Sequence, residues 1–276
     1  MSEDHIQVVC RIRPSNSADS HNQRKSVTVD KTSNAVIVNS KPDTKVFSFD
    51  FVGGEETSQE EIFQVVGLPI TEACIQGYNG TILCYGQTGT GKTHTLFGAG
   101  INEGANRGLV PRVLEYLWQH IVRESRRTNG NVTFSCKCSF YEIYQERVYD
   151  LLDTVNAKSI DQSGLNVRED SKLGVFVDGL VEETVSSPED ASRVLSKGYG
   201  NRHVAETSMN RESSRSHAVF FLKIDSFDED ANSGVRSVRS ARFSMVDLAG
   251  SERQKDTNAT GERLKEAGSF ACASCS

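Results

Sequence analysis

At 276 residues, with 37% hydrophobic and 25% charged side chains, the chain has the composition of a soluble globular protein with room for a sizeable core. A formal net charge of −6 argues against nucleic-acid binding through bulk positive charge, and leaves any attraction to an acidic surface to a local basic face. No apolar run approaches the roughly 20 residues needed to cross a bilayer, and the polar, acidic start Met1-Ser2-Glu3-Asp4-His5 lacks the basic and apolar regions of a secretory signal. The cytoplasm is therefore the expected compartment, with neither membrane nor nucleic acid as an expected partner.

No repeat, low-complexity tract or Pro/Gly/Ser-rich linker interrupts the chain, so one domain is expected. Ile6, Val8, Cys10 and Ile12 alternate as in a strand with one buried face, and Phe47, Phe49 and Phe51 do the same. Thr57-Ser58-Gln59-Glu60 has the spacing of a capping box, which predicts a helix start. Thr81-Ile82-Leu83-Cys84-Tyr85 is a short apolar run ending at glycine, the pattern of a fully buried strand. Val110, Leu114, Leu117, Trp118, Ile121 and Val122 follow helical spacing, with Pro111 in the first turn where its missing N–H costs nothing. Phe134, Cys136, Cys138 and Phe140 return to period two. Ser187-Pro188-Glu189-Asp190 opens another helix, expected to end near Gly198, and residues 217–224 and 242–246 read as strands. Strands interleaved with helices predict an α/β layered fold around a mixed sheet. Of the seven cysteines, Cys10, Cys84, Cys136 and Cys138 sit in strand-like runs and read as reduced core side chains. The C-x-x-C of Cys272 and Cys275 has no second pair and reads as chance spacing.

Gly86-Gln87-Thr88-Gly89-Thr90-Gly91-Lys92-Thr93 matches G-x-x-x-x-G-K-[ST] at every fixed position. The glycines let the backbone curl until successive N–H groups point inward at phosphate oxygens. A following helix adds its positive N-terminal end, Lys92 supplies a point charge to the β- and γ-phosphates, and the Thr93 hydroxyl can ligate Mg²⁺. An accidental glycine-rich turn would lack the strand before it and the helix after it, and both are expected here.

Two further segments point the same way. Ser244-Met245-Val246-Asp247-Leu248-Ala249-Gly250 is an apolar strand ending in an aspartate that can hold Mg²⁺ through water. The Gly250 amide follows, free of any Cβ that would obstruct a γ-phosphate. Asn210-Arg211-Glu212-Ser213-Ser214-Arg215-Ser216-His217 reads either as a polar loop before a strand or, in a chain with a phosphate loop, as hydroxyls and an arginine suited to γ-phosphate and Mg²⁺.

Together these stretches resemble the kinesin family. The loop from Gly86 to Thr95, the Asn210–His217 octapeptide and Asp247-Leu248-Ala249-Gly250-Ser251-Glu252 are similar to its P-loop, switch I and switch II, in the expected order. Arg11-Ile12-Arg13-Pro14 is similar to its R-x-R-P element. The resemblance covers residues 6–268, and 208–219 with 246–262 look most like the class-twelve spindle kinesins. Myosins also pair a P-loop with an S-S-R switch, but Ser216-His217 favours kinesin. The resemblance implies a P-loop NTPase fold of the kinesin-motor type, α/β with a mixed central sheet flanked by helices. It further implies that Arg11, Pro14 and His94 sandwich adenine, and that Gly86, Gln87, Thr88, Gly89, Thr90, Gly91, Lys92 and Asn210 hold the nucleotide. Thr93, Ser214 and Asp247 attend the metal. Ser213, Ser214 and Gly250 close on the γ-phosphate, while Arg215 and Glu252 join the switches, when ATP is bound, by a salt bridge that orders the attacking water. Mg-ATP is the implied ligand, the microtubule the implied partner, and the cytoskeleton, including the spindle, the implied location.

The resemblance also implies an incomplete C-terminus. Residues 1–268 correspond to a motor domain lacking the switch II helix cluster and the last core strand, and 269–276 form a divergent tail. Without that strand, unpaired strand edges and an exposed apolar patch are expected. Microtubule contact then falls mainly to 253–265, where Asp256 and Glu262 partly offset Arg253, Lys255, Arg263 and Lys265. Weak or absent microtubule stimulation of ATPase is expected from the 276 residues alone, and tight nucleotide-sensitive cosedimentation with microtubules would count against it. The rivals to an ATPase motor are a chain that binds nucleotide without hydrolysing it and a GTPase switch. The GTPase lacks its N/T-K-x-D guanine-reading segment here.

Overall fold

The computed structural model describes residues 6–15, 26–40, 43–99, 104–153, 164–171, 174–209, 213–229 and 236–252. Contacts divide the chain into two compact units, residues 1–66 and 67–276.

In the first unit β1 (Val9–Arg11) pairs in parallel with β5 (Phe51–Gly53), while β2 (Val27–Asp30), β3 (Ala35–Asn39) and β4 (Thr44–Ser48) form an antiparallel sheet. The expected first strand is shorter than its alternation: Ile6 and Val8 are 82% and 50% exposed, and among the described residues of the unit nothing covers them. The phenylalanine alternation is split between β4 and β5 by a turn at Phe49-Asp50, where the Phe49 amide donates to Asn34 O at 3.0 Å. The capping box exists but begins one residue later than its spacing indicates. Ser58 caps α1 (Gln59–Ile62): its Oγ accepts from the Glu61 amide at 3.1 Å, and its own amide donates to Glu61 Oε2 at 2.7 Å. Thr57 is instead buried, and its carbonyl accepts from Arg11 Nη2 at 3.0 Å.

The second unit contains α2 (Leu68–Ile75), β6 (Gly80–Cys84), α3 (Lys92–Leu96), α4 (Leu109–Arg127), β7 (Val132–Tyr144), β8 (Arg147–Asp150), β9 (Val167–Asp170), β10 (Gly174–Val177), β11 (Glu183–Val185), α5 (Pro188–Met209), β12 (His217–Glu229) and β13 (Arg236–Asp247). Its main sheet runs β11-β7-β12-β13-β6, with β8 also on β7, and is mixed: β6 is parallel to β13 and the other pairings are antiparallel. Inward alternation builds the core. Cys136, Cys138 and Phe140 of β7 meet Phe220 and Leu222 of β12 and Phe243 and Met245 of β13, all buried. The Phe140 ring lies 5.6 Å from Phe97 and 5.7 Å from Phe220. Burial pushes the Cys74 and Cys136 thiols up to about 12 and Cys138 higher still, so all three are inert core groups. Cys10 and Cys84 are half-buried rather than core.

Two elements differ from expectation for tertiary reasons. β6 is not buried on both faces. A Cβ on Gly80 would lie 2.5 Å from Ile70 and 2.8 Å from Cys74 Sγ, so α2 packs on the Gly80/Ile82 face, whereas Leu83 and Tyr85 are 61% and 75% exposed on the other. Among the described residues β6 pairs only with β13. The helix from Pro188 passes through Gly198 and runs to Met209. Gly198 is a packing position: a Cβ there would stand 2.2 Å from Phe140 Cδ1. Gly→Ala in a helix ordinarily stabilises by about 0.5–1 kcal/mol. Gly198→Ala is expected to reverse that sign and destabilise by about 1–3 kcal/mol through overpacking. Denaturant unfolding of the two proteins checks this, and a stabilised variant rules it out. No helix among the described residues is long and apolar enough to cross a membrane.

Candidate functional site

Sheet register brings the motifs together. β6 and β13 run parallel with Cys84 opposite Asp247, so the segments that follow them leave from the same end of the sheet. β12 runs antiparallel with Ala218 opposite Asp247, so the segment before it arrives at that same end. Sites in open α/β sheets gather where strands end in this way.

The loop after β6 has the backbone its glycines permit. Gly86, Gly89 and Gly91 have φ of 152°, 79° and 94°, a region side-chain-bearing residues avoid. A Cβ on Gly86 would also lie 2.7 Å from Thr90 Oγ1. The Thr90 hydroxyl donates to Gln87 O at 2.7 Å, and the Lys92 ammonium lies across the loop, donating to Gly86 O at 2.9 Å and Gln87 O at 3.0 Å. α3 spans just five residues before Phe97, so the helix dipole expected here is that of little more than one turn. His94 on α3 is exposed.

The segment after β13 is tied to this loop at several points. Thr93 Oγ1 donates to Asp247 Oδ2 at 2.6 Å, the Leu248 amide to Cys84 O at 3.2 Å and the Ser251 amide to Gly86 O at 3.2 Å. The Gly250 amide donates to Ser214 O at 2.7 Å, and the Ala249 amide to His217 Nδ1 at 3.0 Å. Burial pushes the His217 imidazole down, the Arg202 guanidinium adds to this, and the Asp247 carboxylate opposes it. The result is a neutral ring able to accept that bond. Ser213, Ser214 and Arg215 form a single 3₁₀ turn before β12.

Glu252, expected to bridge to Arg215 when ATP is bound, is paired with Thr88 in this structure. Its carboxylate accepts from the Thr88 amide at 3.0 Å and from the Thr88 hydroxyl. Burial pushes the Glu252 carboxyl up, but the Thr88 bonds and nearby Lys92 outweigh it and hold the group below the usual carboxylate range. The physical reason for the different partner is local: the Ser251 amide is pinned to Gly86 O, which presents the next side chain to the phosphate loop.

Arg11 and Pro14 belong to the first unit. Arg11 Nη1 donates to Gln59 Oε1 at 2.8 Å, and Pro14 is exposed. Asn210 and residues 253–276, with Cys272 and Cys275 and the basic stretch 253–265, lie outside the described residues.

The oxygen chemistry suits a hard divalent cation. Asp247 is 3% exposed, one of its oxygens takes the Thr93 hydroxyl, and the other, Oδ1, is buried without a hydrogen-bond partner. A buried carboxylate oxygen left unpaired in this way is costly unless a cation or water meets it. No group of three or more His, Cys, Asp or Glu side chains converges among the described residues. A hydroxyl–carboxylate set completed by phosphate and water needs none.

Sequence reading missed the residues behind Asp247. Arg202 Nε donates to Glu142 Oε1 at 3.2 Å, and Arg202 Nη1 stands 3.6 Å from Asp247 Oδ2. The Ser216 hydroxyl donates to Glu142 Oε1 at 2.5 Å. All four residues are buried, with side-chain exposures of 5% for Arg202, 1% for Glu142 and 3% for Asp247. A signal was present: Glu142 falls in inward phase with Cys136, Cys138 and Phe140, a charge where the alternation demands an apolar residue.

The chain matches the family described as Kinesin motor domain over residues 11–272. It is 48% identical over 272 residues to Kinesin-like protein KIF15 of Strongylocentrotus purpuratus, covering 97% of this chain and 18% of that protein. To the Homo sapiens protein of the same name it is 48% identical over 274 residues, with 97% and 19% covered. To Kinesin-like protein KIN-12E of Oryza sativa subsp. japonica it is 46% identical over 270 residues, with 95% and 14% covered. The chain thus spans about a fifth or less of the length of these relatives. Among solved structures, one described as a fast kinesin, with implications for ATPase mechanism and interactions with microtubules, aligns with a TM-score of 0.85 at 36% identity, covering 96% of this chain and 71% of that one.

Proposed function

The chain belongs to the kinesin motor family, and from that premise we propose that it binds Mg-ATP on the loop after β6 and hydrolyses it as part of a microtubule motor. The observation that carries this reading is the Thr93–Asp247 hydrogen bond of 2.6 Å beside the unpartnered Asp247 Oδ1. That pair places a metal-ligating hydroxyl and a carboxylate together at the foot of the phosphate loop.

In this reading the amides of residues 86–93 and the Lys92 ammonium bind the phosphates. For Lys92 this requires exchanging the Gly86 and Gln87 carbonyls for phosphate oxygens. Thr93, Ser214 and Asp247 would hold Mg²⁺, which when bound would supply positive charge against the phosphates. The exposed His94 offers a ring face to the adenine. The Gly250 amide and the Glu252 carboxylate exchange their present partners, Ser214 O and Thr88, for the γ-phosphate and Arg215. Glu252 then orders the attacking water. In the present arrangement the Gly250–Ser214 and Glu252–Thr88 bonds tie these segments to each other and to the loop. This same observation favours the second reading, a chain that holds nucleotide in that arrangement without hydrolysing it.

The test is a titration of the purified chain with fluorescent mant-ATP and Mg²⁺, followed by phosphate release with and without microtubules. Saturable, Mg²⁺-dependent binding with turnover supports the motor-ATPase reading. Binding without turnover moves the assignment to the second reading, and absence of binding defeats both.

A further inference from the structure

One strand of the first unit is open along its whole length. Every residue of β4, from Thr44 to Ser48, is exposed, and among the described residues β4 pairs only with β3. Val46 and Phe47 are 62% and 48% exposed, on opposite faces of the strand. Such an edge is a template for a further strand unless it is kinked or charged out of use. β4 contains no proline or glycine, its register with β3 is unbroken, and its single charge is Lys45. The ladder also fixes which backbone groups face outward. The Phe49 amide donates to Asn34 O at 3.0 Å, which makes these two a hydrogen-bonded pair. In an antiparallel ladder such pairs recur at every second residue. Phe47 opposite Val36 and Lys45 opposite Val38 therefore bond to β3, while Thr44, Val46 and Ser48 turn their N–H and C=O groups to the free edge.

We propose that β4 pairs antiparallel with β4 of a second copy of this chain, about a two-fold axis at Val46, joining two three-stranded sheets into one. In this register Val46 meets the partner's Val46 and Thr44 meets the partner's Ser48, so the outward groups of both edges bond to one another. Lys45 stands opposite the partner's Phe47 in the non-hydrogen-bonded pairs, where side chains come closest, and its ammonium lies over that ring. The two neighbouring symmetric registers are poorer. One sets Lys45 against the partner's Lys45, which like-charge repulsion disfavours. The other shortens the paired stretch and leaves Lys45 opposite no residue of the partner strand. The lysine that would blunt this edge against other strands thus selects a single pairing. A two-fold contact of this kind uses each edge once and closes at a dimer. It involves no nucleotide and stands apart from the Mg-ATP reading.

Sedimentation of the purified chain without nucleotide, over about a hundredfold range of concentration, is expected to show its mass rising towards that of a dimer. Phe47→Lys puts like charges opposite each other in both symmetric pairs, and should raise the dimer dissociation constant at least about tenfold. The double variant Lys45→Glu/Phe47→Lys puts opposite charges there, and should return to within about threefold of wild type. Only the register centred on Val46 makes positions 45 and 47 partners, so this recovery separates it from any other contact. Val46→Pro removes the central outward N–H donors and leaves the bonds to β3, a change that an edge strand tolerates. It should also dissociate the dimer, and it decides the matter if Phe47→Lys does not fold. A mass that stays at the monomer value leaves the edge to a strand of another polypeptide and overturns the proposal. Growth past the dimer overturns it too, as does a Phe47→Lys or Val46→Pro variant that pairs like wild type, or a double variant that does not recover.

Discussion

Lys92→Ala is expected to abolish measurable ATP binding, lowering affinity at least about 100-fold. A charge-assisted hydrogen bond contributes about 1.5–3 kcal/mol net, and losing one member of a desolvated charge pair costs about 2–5 kcal/mol. Each 1.4 kcal/mol is tenfold, so the two Lys92 contacts proposed to move from loop carbonyls to phosphate oxygens together exceed that threshold. The fold should survive, because the Lys92 ammonium donates only to Gly86 O and Gln87 O, and each carbonyl keeps another donor, the Ser251 amide and Thr90 respectively. The loop glycines, Thr90 and the Ser251–Gly86 bond hold the backbone without it. Equilibrium titration with mant-ATP, alongside a thermal melt of the nucleotide-free protein, checks both halves. A variant that melts like wild type and binds mant-ATP within threefold of it would remove Lys92 from the site.

The contrast between the phosphate loop and the residues behind it shows which features one sequence reveals. Gly86, Gly89, Gly91, Lys92 and Thr93 were legible because local chemistry sets both residue type and spacing: positive φ demands glycine, and helix entry places lysine and threonine. β7 was legible through its inward cysteines and Phe140. Gly198 misled because a glycine late in a helical pattern usually ends the helix. Only the sheet shows that Phe140 occupies the space a side chain would need. Arg202 was lost with it, lying past that expected stop. β6 looked buried on both faces because apolar runs do not reveal which neighbours a strand has. Ser58 rather than Thr57 caps α1 because Thr57 is drawn into the interior, and two adjacent hydroxyl residues offer the backbone both options. In each case a nonlocal contact decided between readings that local propensity left balanced.

Glu252 is paired with Thr88 in this structure, while the family resemblance implies Arg215 as its partner when ATP is bound. Glu252→Ala is expected to lower ATP hydrolysis by about 100- to 1,000-fold, the loss typical of removing one positioned polar group from a reacting centre. Binding should change by less than about threefold, because the carboxylate is proposed to leave Thr88 for Arg215 when nucleotide binds and so contacts no phosphate-holding group in the bound state. Its removal frees only an exposed amide and hydroxyl. The ionisation state is favourable at working pH. The folded carboxyl is held below its ordinary value of about 4.3, so the group is charged at neutrality, and the stability from its Thr88 bonds is present above that ordinary value. That contribution is lost only as pH falls through the depressed folded value, so any activity change near neutral pH reflects the missing carboxylate rather than its titration. Single-turnover hydrolysis of preloaded mant-ATP isolates the chemical step from binding and release. Equal single-turnover rates in the two proteins would show that Glu252 serves only to fasten the switch to the phosphate loop. A rate loss with intact binding would show that the carboxylate leaves Thr88 during the cycle, since the group that orders the water must reach it from the bond seen here.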